Sequence, residues 1–148
     1  MMALAAPLSG ALSDRIGTRL PAIVGMLLLA SGLLLLSRLG ATTPQPNILL
    51  GLAVVGLGTG IFISPNNSSL MGAAPKDDQG LAGGVLATSR NVGMVLGVGL
   101  AGAVFSTALG TPQAASSLSA LSHAVDAGLS VLAAVALVGC LTAAIRRP

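Results

Sequence analysis

Four long apolar runs constrain this chain more than any other feature of its sequence. They cover residues 20–39, 48–71, 81–109 and 126–145. A helix of about twenty residues is about 30 Å long, which is the thickness of the hydrocarbon core of a bilayer. The sequence therefore predicts an all-α integral membrane protein with about four full transmembrane helices.

The composition of the chain agrees with a membrane location. Charged residues make up 7% of the 148 residues, whereas a soluble domain carries about 25%. The net charge of +3 does not indicate a nucleic-acid partner, because the basic residues are scattered and the chain has no Trp or Tyr to stack on bases. We expect membrane lipid around the helices and no nucleic acid.

An apolar segment at residues 1–12 precedes the first full run and is too short to span a bilayer. It has no basic start of the kind that opens a secretory signal. We expect it to be the end of a partial helix whose beginning belongs to missing N-terminal helices, so that the chain is a piece of a longer protein or has a mis-assigned start.

A short charged segment, residues 10–19, separates this partial helix from the first full run. It contains Asp14, Arg15 and Arg19. Cytoplasmic loops of membrane proteins carry an excess of basic residues, which places this loop inside the cell. Alternation along the chain then puts six basic residues on or near the inner side: Arg15, Arg19, Lys76, Arg90, Arg146 and Arg147. Only Arg38 falls on the outer side, so we expect the charged loop and the C-terminus to be cytoplasmic.

Polar side chains interrupt the second apolar run close to its inner end. They are Ser64, Asn66, Asn67 and Ser68, with Pro65 among them. Amide groups facing lipid would be unpaired, so these side chains must face protein or water. They are candidates for lining a substrate cavity beside a backbone carbonyl that Pro65 frees. Hydrogen bonding between helices is an equally open interpretation.

The third run carries one charge and a pair of spaced glycines. Arg90 is a candidate for the same cavity, and the alternative is that it extends to the inner interface beside Asp77 or Asp78. Gly93 and Gly97 have the spacing that lets two helices pack closely. Because glycine accounts for 20 of the 148 residues, such pairs also arise by chance.

No catalytic, metal or nucleotide-binding arrangement is recognisable in the sequence. The single cysteine, Cys140, excludes an internal disulfide, and the single histidine, His123, has no second ligand to share a metal with. The glycine-rich stretches lack the G-K-(S/T) ending of a phosphate-binding loop. We therefore expect no enzyme activity, no metal, no cofactor and no ATP-driven pump.

The charged loop resembles a motif of a transporter family. Gly10-x-Leu12-Ser13-Asp14-Arg15-x-Gly17-x-Arg19 is similar to motif A of the major facilitator superfamily, G-x-L-(A/S)-D-R-x-G-R-(R/K). Thr18 departs from the motif, since a basic residue is usual there. The order of spans and loops that follows resembles the second half of such a transporter.

Two further stretches resemble the last helices of the fourteen-span drug:proton antiporter branch. They are Gly56-Leu57-Gly58-Thr59-Gly60 with Pro65, and Gly80-Leu81-Ala82-Gly83-Gly84 with Ser89-Arg90-Asn91-Val92-Gly93 and Gly97. In the first half of such antiporters an arginine precedes the glycine pattern and is tied to proton coupling. Leu52 stands at the analogous position here, so the resemblance assigns no proton coupling to this segment.

The resemblance implies the C-terminal part of a multidrug efflux transporter in the plasma membrane. Such a protein exchanges drug-like small molecules for protons by alternating access within a major-facilitator helix bundle. Gly10, Asp14, Arg15, Gly17 and Arg19 would then form a cytoplasmic gate. The alternative is that this charged loop only anchors the topology.

Two other interpretations remain. One is a small structural or interaction membrane protein, or a non-functional gene fragment. The other is an independent four-span exporter, which is weakened because the chain has no Glu, Trp or Tyr.

Overall fold

The chain forms a bundle of long α-helices. The computed structural model describes residues 9–10, 13, 17–40, 43–110 and 117–145. The four helices are α1 Arg19–Leu36, α2 Gln45–Ala73, α3 Gln79–Leu109 and α4 Leu118–Ile145, and a 3₁₀ turn at Lys76–Asp78 joins α2 to α3. By length and composition all four can cross a membrane, which confirms the predicted all-α membrane fold.

Most helix ends differ by a few residues from the bounds predicted by the apolar runs, and the start of α4 differs most. Helix α1 stops at Leu36, and residues 37–39 continue as turns. Helix α4 begins at Leu118 and so starts well before the apolar run at residues 126–145. The preceding residues 118–125 contain no glycine or proline, and the backbone N–H of Ala120 donates to Ser117 Oγ, 3.4 Å away, as at a helix N-terminus.

The predicted partial helix at residues 1–12 lies mostly outside the described residues. Of its members only Ser9 and Gly10 are described, and both are helical.

The four helices pack in the spatial order α2, α1, α4, α3. Helix α1 is central and has α2 on one side and α4 on the other, while α3 packs mainly against α4. Helices α2 and α3 adjoin only around a small groove lined by Leu70, Ala74 and Leu81, among others. Within the described residues, α3 buries no residue at all, so most of its surface is open.

Glycines bring α1 and α2 into backbone contact. A Cβ atom on Gly25 would lie 2.7 Å from the amide nitrogen of Phe62, and one on Gly32 would lie 2.8 Å from that of Val55. On the facing helix, a Cβ atom on Gly51 would lie 2.6 Å from Leu36 Cδ2. Side-chain carbons do not approach other atoms this closely, so the two antiparallel helices pack at this distance only because these positions are glycine.

The close approach expected at Gly93 and Gly97 is not found among the described helices. A Cβ atom at either position would meet no atom within 4 Å. The reason is that α3 contacts α4 near Ala101, whose carbonyl oxygen is 4.0 Å from a Cβ atom built on Gly128. Among the described residues, the glycines at which a Cβ atom would lie within 3.0 Å of the backbone of another helix are on α1 and α2.

Small residues form the contact between α1 and α4. Ala133, Ala136 and Cys140 are buried on α4. Cys140 Sγ donates a weak hydrogen bond, 3.9 Å long, to the carbonyl oxygen of Ile23. This free cysteine packs in the helix interface, in agreement with its position in an apolar run.

Candidate functional site

A cavity of about 800 Å³ lies between α1, α2 and α4. It is at the end of the bundle where α1 begins and where α2 and α4 end, which is the end predicted to be cytoplasmic. Its wall is built from Gly17, Thr18, Arg19, Leu20, Ala22, Met26, Phe62, Pro65, Asn66, Ser69, Ala73, Gly139, Thr142 and Ala143. On each helix the lining residues are adjacent or lie three or four positions apart, so they share one face of that helix.

The wall of this cavity is mixed in polarity. Met26 and Phe62 supply apolar surface, and Asn66, Ser69 and Thr142 supply an amide and two hydroxyls. The Thr142 hydroxyl donates to the carbonyl of Gly139 in its own helix at 2.8 Å. The Asn66 carboxamide can both donate and accept, and so can the Ser69 hydroxyl. The cavity is suited to a ligand with an apolar body and a few polar groups.

The polar residues of α2 that the sequence predicted to line one cavity have different surroundings in the structure. Asn66 lines the cavity. Ser64 lies beside Gly10, where a built Cβ atom would be 2.9 Å from Ser64 Oγ. Asn67 and Ser68 do not line the cavity, and Ser68 is exposed.

Ser69 lines the cavity and was not among the residues singled out from the sequence. The signal that identifies it is helical periodicity. Phe62, Asn66, Ser69 and Ala73 follow one another at intervals of three or four and form a stripe on one face of α2.

Arg90 does not belong to this cavity. It is exposed on α3, which packs on the far side of α4. Its predicted role in lining a cavity is therefore not supported by the described helices. Extension of its side chain to the inner interface remains the prediction for this residue.

Arg19 links the start of α1 to the end of α4. Its guanidinium donates a hydrogen bond to the carbonyl oxygen of Ala144 in the last turn of α4. The last carbonyls of a helix have no partner within the helix and carry partial negative charge, so a cation stabilises them. Arg19 thus caps α4 at the mouth of the cavity. Asp14 and Arg15, the other charges of the predicted gate, lie outside the described residues.

Gly17 adopts a backbone conformation that only glycine reaches easily, with φ of +83° directly before α1. A Cβ atom there would meet nothing within 4 Å, so replacing Gly17 changes backbone strain alone. We expect Gly17→Ala to lower the free energy of unfolding by about 1–2 kcal/mol. The measurement is an unfolding titration of the purified protein in detergent.

The matched control is Gly40→Ala, because Gly40 also has open space around it and has no positive φ. Gly17→Asn should be the milder change, since asparagine tolerates the left-handed conformation. Equal stability of the Gly17→Ala and Gly40→Ala proteins would contradict this assignment.

Comparison with known proteins gives a family match over the whole chain. The sequence model of the Major Facilitator Superfamily matches residues 1–148. The riboflavin transporter RibZ of Clostridioides difficile is 35% identical over 109 residues, which are 74% of this chain and 24% of that protein.

Two further relatives have similar coverage. The multidrug resistance protein Stp of Mycobacterium tuberculosis is 32% identical over 70% of this chain and 19% of its own length. The tetracenomycin C resistance and export protein of Streptomyces glaucescens is 32% identical over 74% of this chain and 20% of its own length. The chain thus spans about a fifth to a quarter of each relative. No solved structure matches it significantly.

Proposed function

Because the chain belongs to the major facilitator superfamily, we propose that it is the C-terminal part of a proton-coupled exporter of drug-like small molecules. Members of this family are membrane transporters and not enzymes. Two of the relatives described above are named for drug resistance or export. The proposal extends that activity to this chain.

The observation that carries the proposal is the cavity between α1, α2 and α4. It combines apolar surface with the Asn66 amide and the Ser69 hydroxyl at one end of three membrane-spanning helices. In transporters of this kind, binding sites lie between helices, and alternating access comes from rocking of one helix bundle against another. Asn66 and Ser69 would bind the polar part of a substrate, and Met26 and Phe62 would contact its apolar part.

The proposed gate is the charged loop at residues 10–19, of which Gly17 and Arg19 line this cavity. Arg19 contacts Ala144 where α1 and α4 meet, and Gly17 lies close to it in the chain. Gly10 lies beside Ser64 of α2. Asp14 and Arg15 would latch the cytoplasmic side in one conformation and release it in the other. In this proposal the protein is in the plasma membrane with the loop and the C-terminus in the cytoplasm.

Transport by the proposed exporter needs the missing N-terminal helices as well as this chain. The chain spans about a fifth to a quarter of the curated relatives it matches. It would therefore supply only part of a central cavity, and we expect no transport by the 148-residue chain alone.

The test is ethidium efflux from a bacterial host that lacks its own multidrug pumps. Cells expressing the complete reading frame should retain less ethidium than cells with an empty vector, and a protonophore should abolish the difference. Cells expressing the 148-residue chain alone should behave like the vector control. If the complete frame reaches the membrane and leaves ethidium retention unchanged, the exporter proposal is wrong and a structural role is favoured.

The gate makes a separate prediction for Asp14. The proposed latch pairs the Asp14 carboxylate with a helix N-terminus in one conformation, an interaction worth about 0.3–1 kcal/mol, so Asp14→Asn should slow ethidium efflux by about two- to fivefold. Asp77→Asn is the matched control, because Asp77 is an exposed carboxylate in the turn between α2 and α3. Unchanged efflux in the Asp14→Asn protein would leave the loop as a topology anchor.

A further inference from the structure

Helix α2 contains a proline that removes one of its own hydrogen bonds. The helix runs without a break from Gln45 to Ala73 and includes Pro65, which is almost completely buried. Proline has no backbone N–H, so the carbonyl of Ile61, four residues earlier, loses its usual donor. Away from water, such a carbonyl needs a replacement partner.

Ser9 provides that partner from another part of the chain. Its Oγ donates to the carbonyl oxygen of Ile61 at 2.7 Å, across 52 residues of sequence. The side chain is buried, with 4% of its surface exposed. Other serines bond to their own helical segment, as Ser13 does to the carbonyl of Gly10 and Ser31 to that of Leu28. The Ser9 contact is therefore a link between two helical segments.

The residue next to Ser9 explains how the two segments approach closely enough. A Cβ atom on Gly10 would lie 2.9 Å from Ser64 Oγ, which is closer than side-chain carbons pack. Glycine at this position lets the backbone of the segment lie against α2 directly beside Pro65.

We propose that Ser9 is a positioning residue, whose hydroxyl takes the place of the missing Pro65 amide and fixes the turn of α2 that carries Asn66. Pro65 and Asn66 are adjacent, and both line the cavity between α1, α2 and α4. Ser9 donates to the carbonyl of Ile61, which lies in the turn of α2 that precedes Asn66. An effect of Ser9 on substrate binding rests on the proposed function. The replacement of the missing Pro65 hydrogen bond by that of Ser9 does not.

A double-mutant cycle tests the inference on the protein purified from its complete reading frame. Ser9→Ala should lower the thermal unfolding midpoint by about 2–4 °C, because it leaves the Ile61 carbonyl unpaired. Pro65→Ala restores the backbone N–H that bonds to Ile61. In the Pro65→Ala background, Ser9→Ala should therefore have no effect on the midpoint. An equal loss in both backgrounds, or no loss in either, would overturn the inference.

Isosteric variants at residue 9 keep the test decisive if the Pro65→Ala protein does not accumulate. Ser9→Thr retains the hydroxyl, and Ser9→Val has nearly the same shape as threonine without it. Both variants add the same bulk to a buried site, so the hydroxyl alone distinguishes them. The threonine variant should have a higher midpoint and faster ethidium efflux than the valine variant. Equal behaviour of the two would overturn the inference. Ser31→Ala, which removes an exposed hydroxyl bonded within α1, is the control and should change neither.

The unfolding measurements separate this inference from the proposed function. If the protein does not export ethidium at all, the exporter proposal fails. The cycle between Ser9 and Pro65 still shows whether the hydroxyl replaces the amide, because it is measured by unfolding alone.

Discussion

Gly58→Ala is expected to destabilise the protein by about 3 kcal/mol or to prevent its accumulation. A Cβ atom on Gly58 would lie 2.8 Å from the carbonyl oxygen of Gly25 and would also contact the backbone nitrogen of Leu29. These are backbone atoms of α1, and they can move away only if the two helices separate. The measurement is an unfolding titration of the purified protein, together with its level in the membrane fraction.

Gly72→Ala is the control for this prediction. Gly72 is on the same helix, and a Cβ atom there would meet nothing within 4 Å. Alanine also has a higher helix propensity than glycine, so the Gly72→Ala protein should be as stable as the original or slightly more stable. Equal stability of the two variants would show that α1 and α2 do not pack as closely as described.

The helices of this chain were predictable because hydrophobic length alone decides whether a segment can span a bilayer. The start of α4 was missed because apolar length measures the part of a helix that fits the membrane core. The first turns, from Leu118 to Val125, contain Ser119, Ser122 and His123 and extend beyond that part. A search for apolar length therefore leaves residues 118–125 out, although the Ala and Leu residues among them favour helix.

The contacts between helices were less accessible from the sequence. Glycine spacing predicted close packing at Gly93 and Gly97, whereas the structure has it at Gly25 with Gly32 and at Gly51 with Gly58. A seven-residue interval on both neighbouring helices is the pattern that distinguishes the second set. The choice between the sets depends on which helices are neighbours, and this is a property of the fold.

The candidate site was predictable in its chemistry and not in its orientation. The sequence shows two adjacent asparagines and a proline that frees a carbonyl. Helical periodicity puts Asn66 on one face with Phe62 and Ser69. The sequence does not show that this face lines a cavity, or that Ser9 donates to Ile61. Likewise, Arg19 was expected in a gate, and its contact with Ala144 depends on α4 lying beside α1.

Asn66→Ala is expected to reduce ethidium efflux by about tenfold, because it removes the proposed hydrogen bond between the Asn66 carboxamide and the polar part of the substrate. Losing one partner of a buried hydrogen bond costs about 1–3 kcal/mol. The loss should come from weaker substrate binding and not from misfolding. Asn66 lies in the wall of the cavity between α1, α2 and α4. The membrane level and the unfolding midpoint of the Asn66→Ala protein should therefore stay close to those of the original protein.

Asn67→Ala is a matched control for the Asn66 variant. It removes the same carboxamide from the next residue of α2, and Asn67 does not line the cavity. The two variants differ only in which face of the helix loses its amide, so general effects on α2 should be shared between them.

The most direct test of the proposed substrate cavity is therefore ethidium efflux by the Asn66→Ala and Asn67→Ala proteins, each expressed from the complete reading frame at matched membrane levels. If substrate binds in this cavity, efflux should be about tenfold slower for Asn66→Ala and nearly unchanged for Asn67→Ala. Equal efflux by the two proteins, or a larger loss for Asn67→Ala, would contradict the assignment of this cavity to the transport pathway.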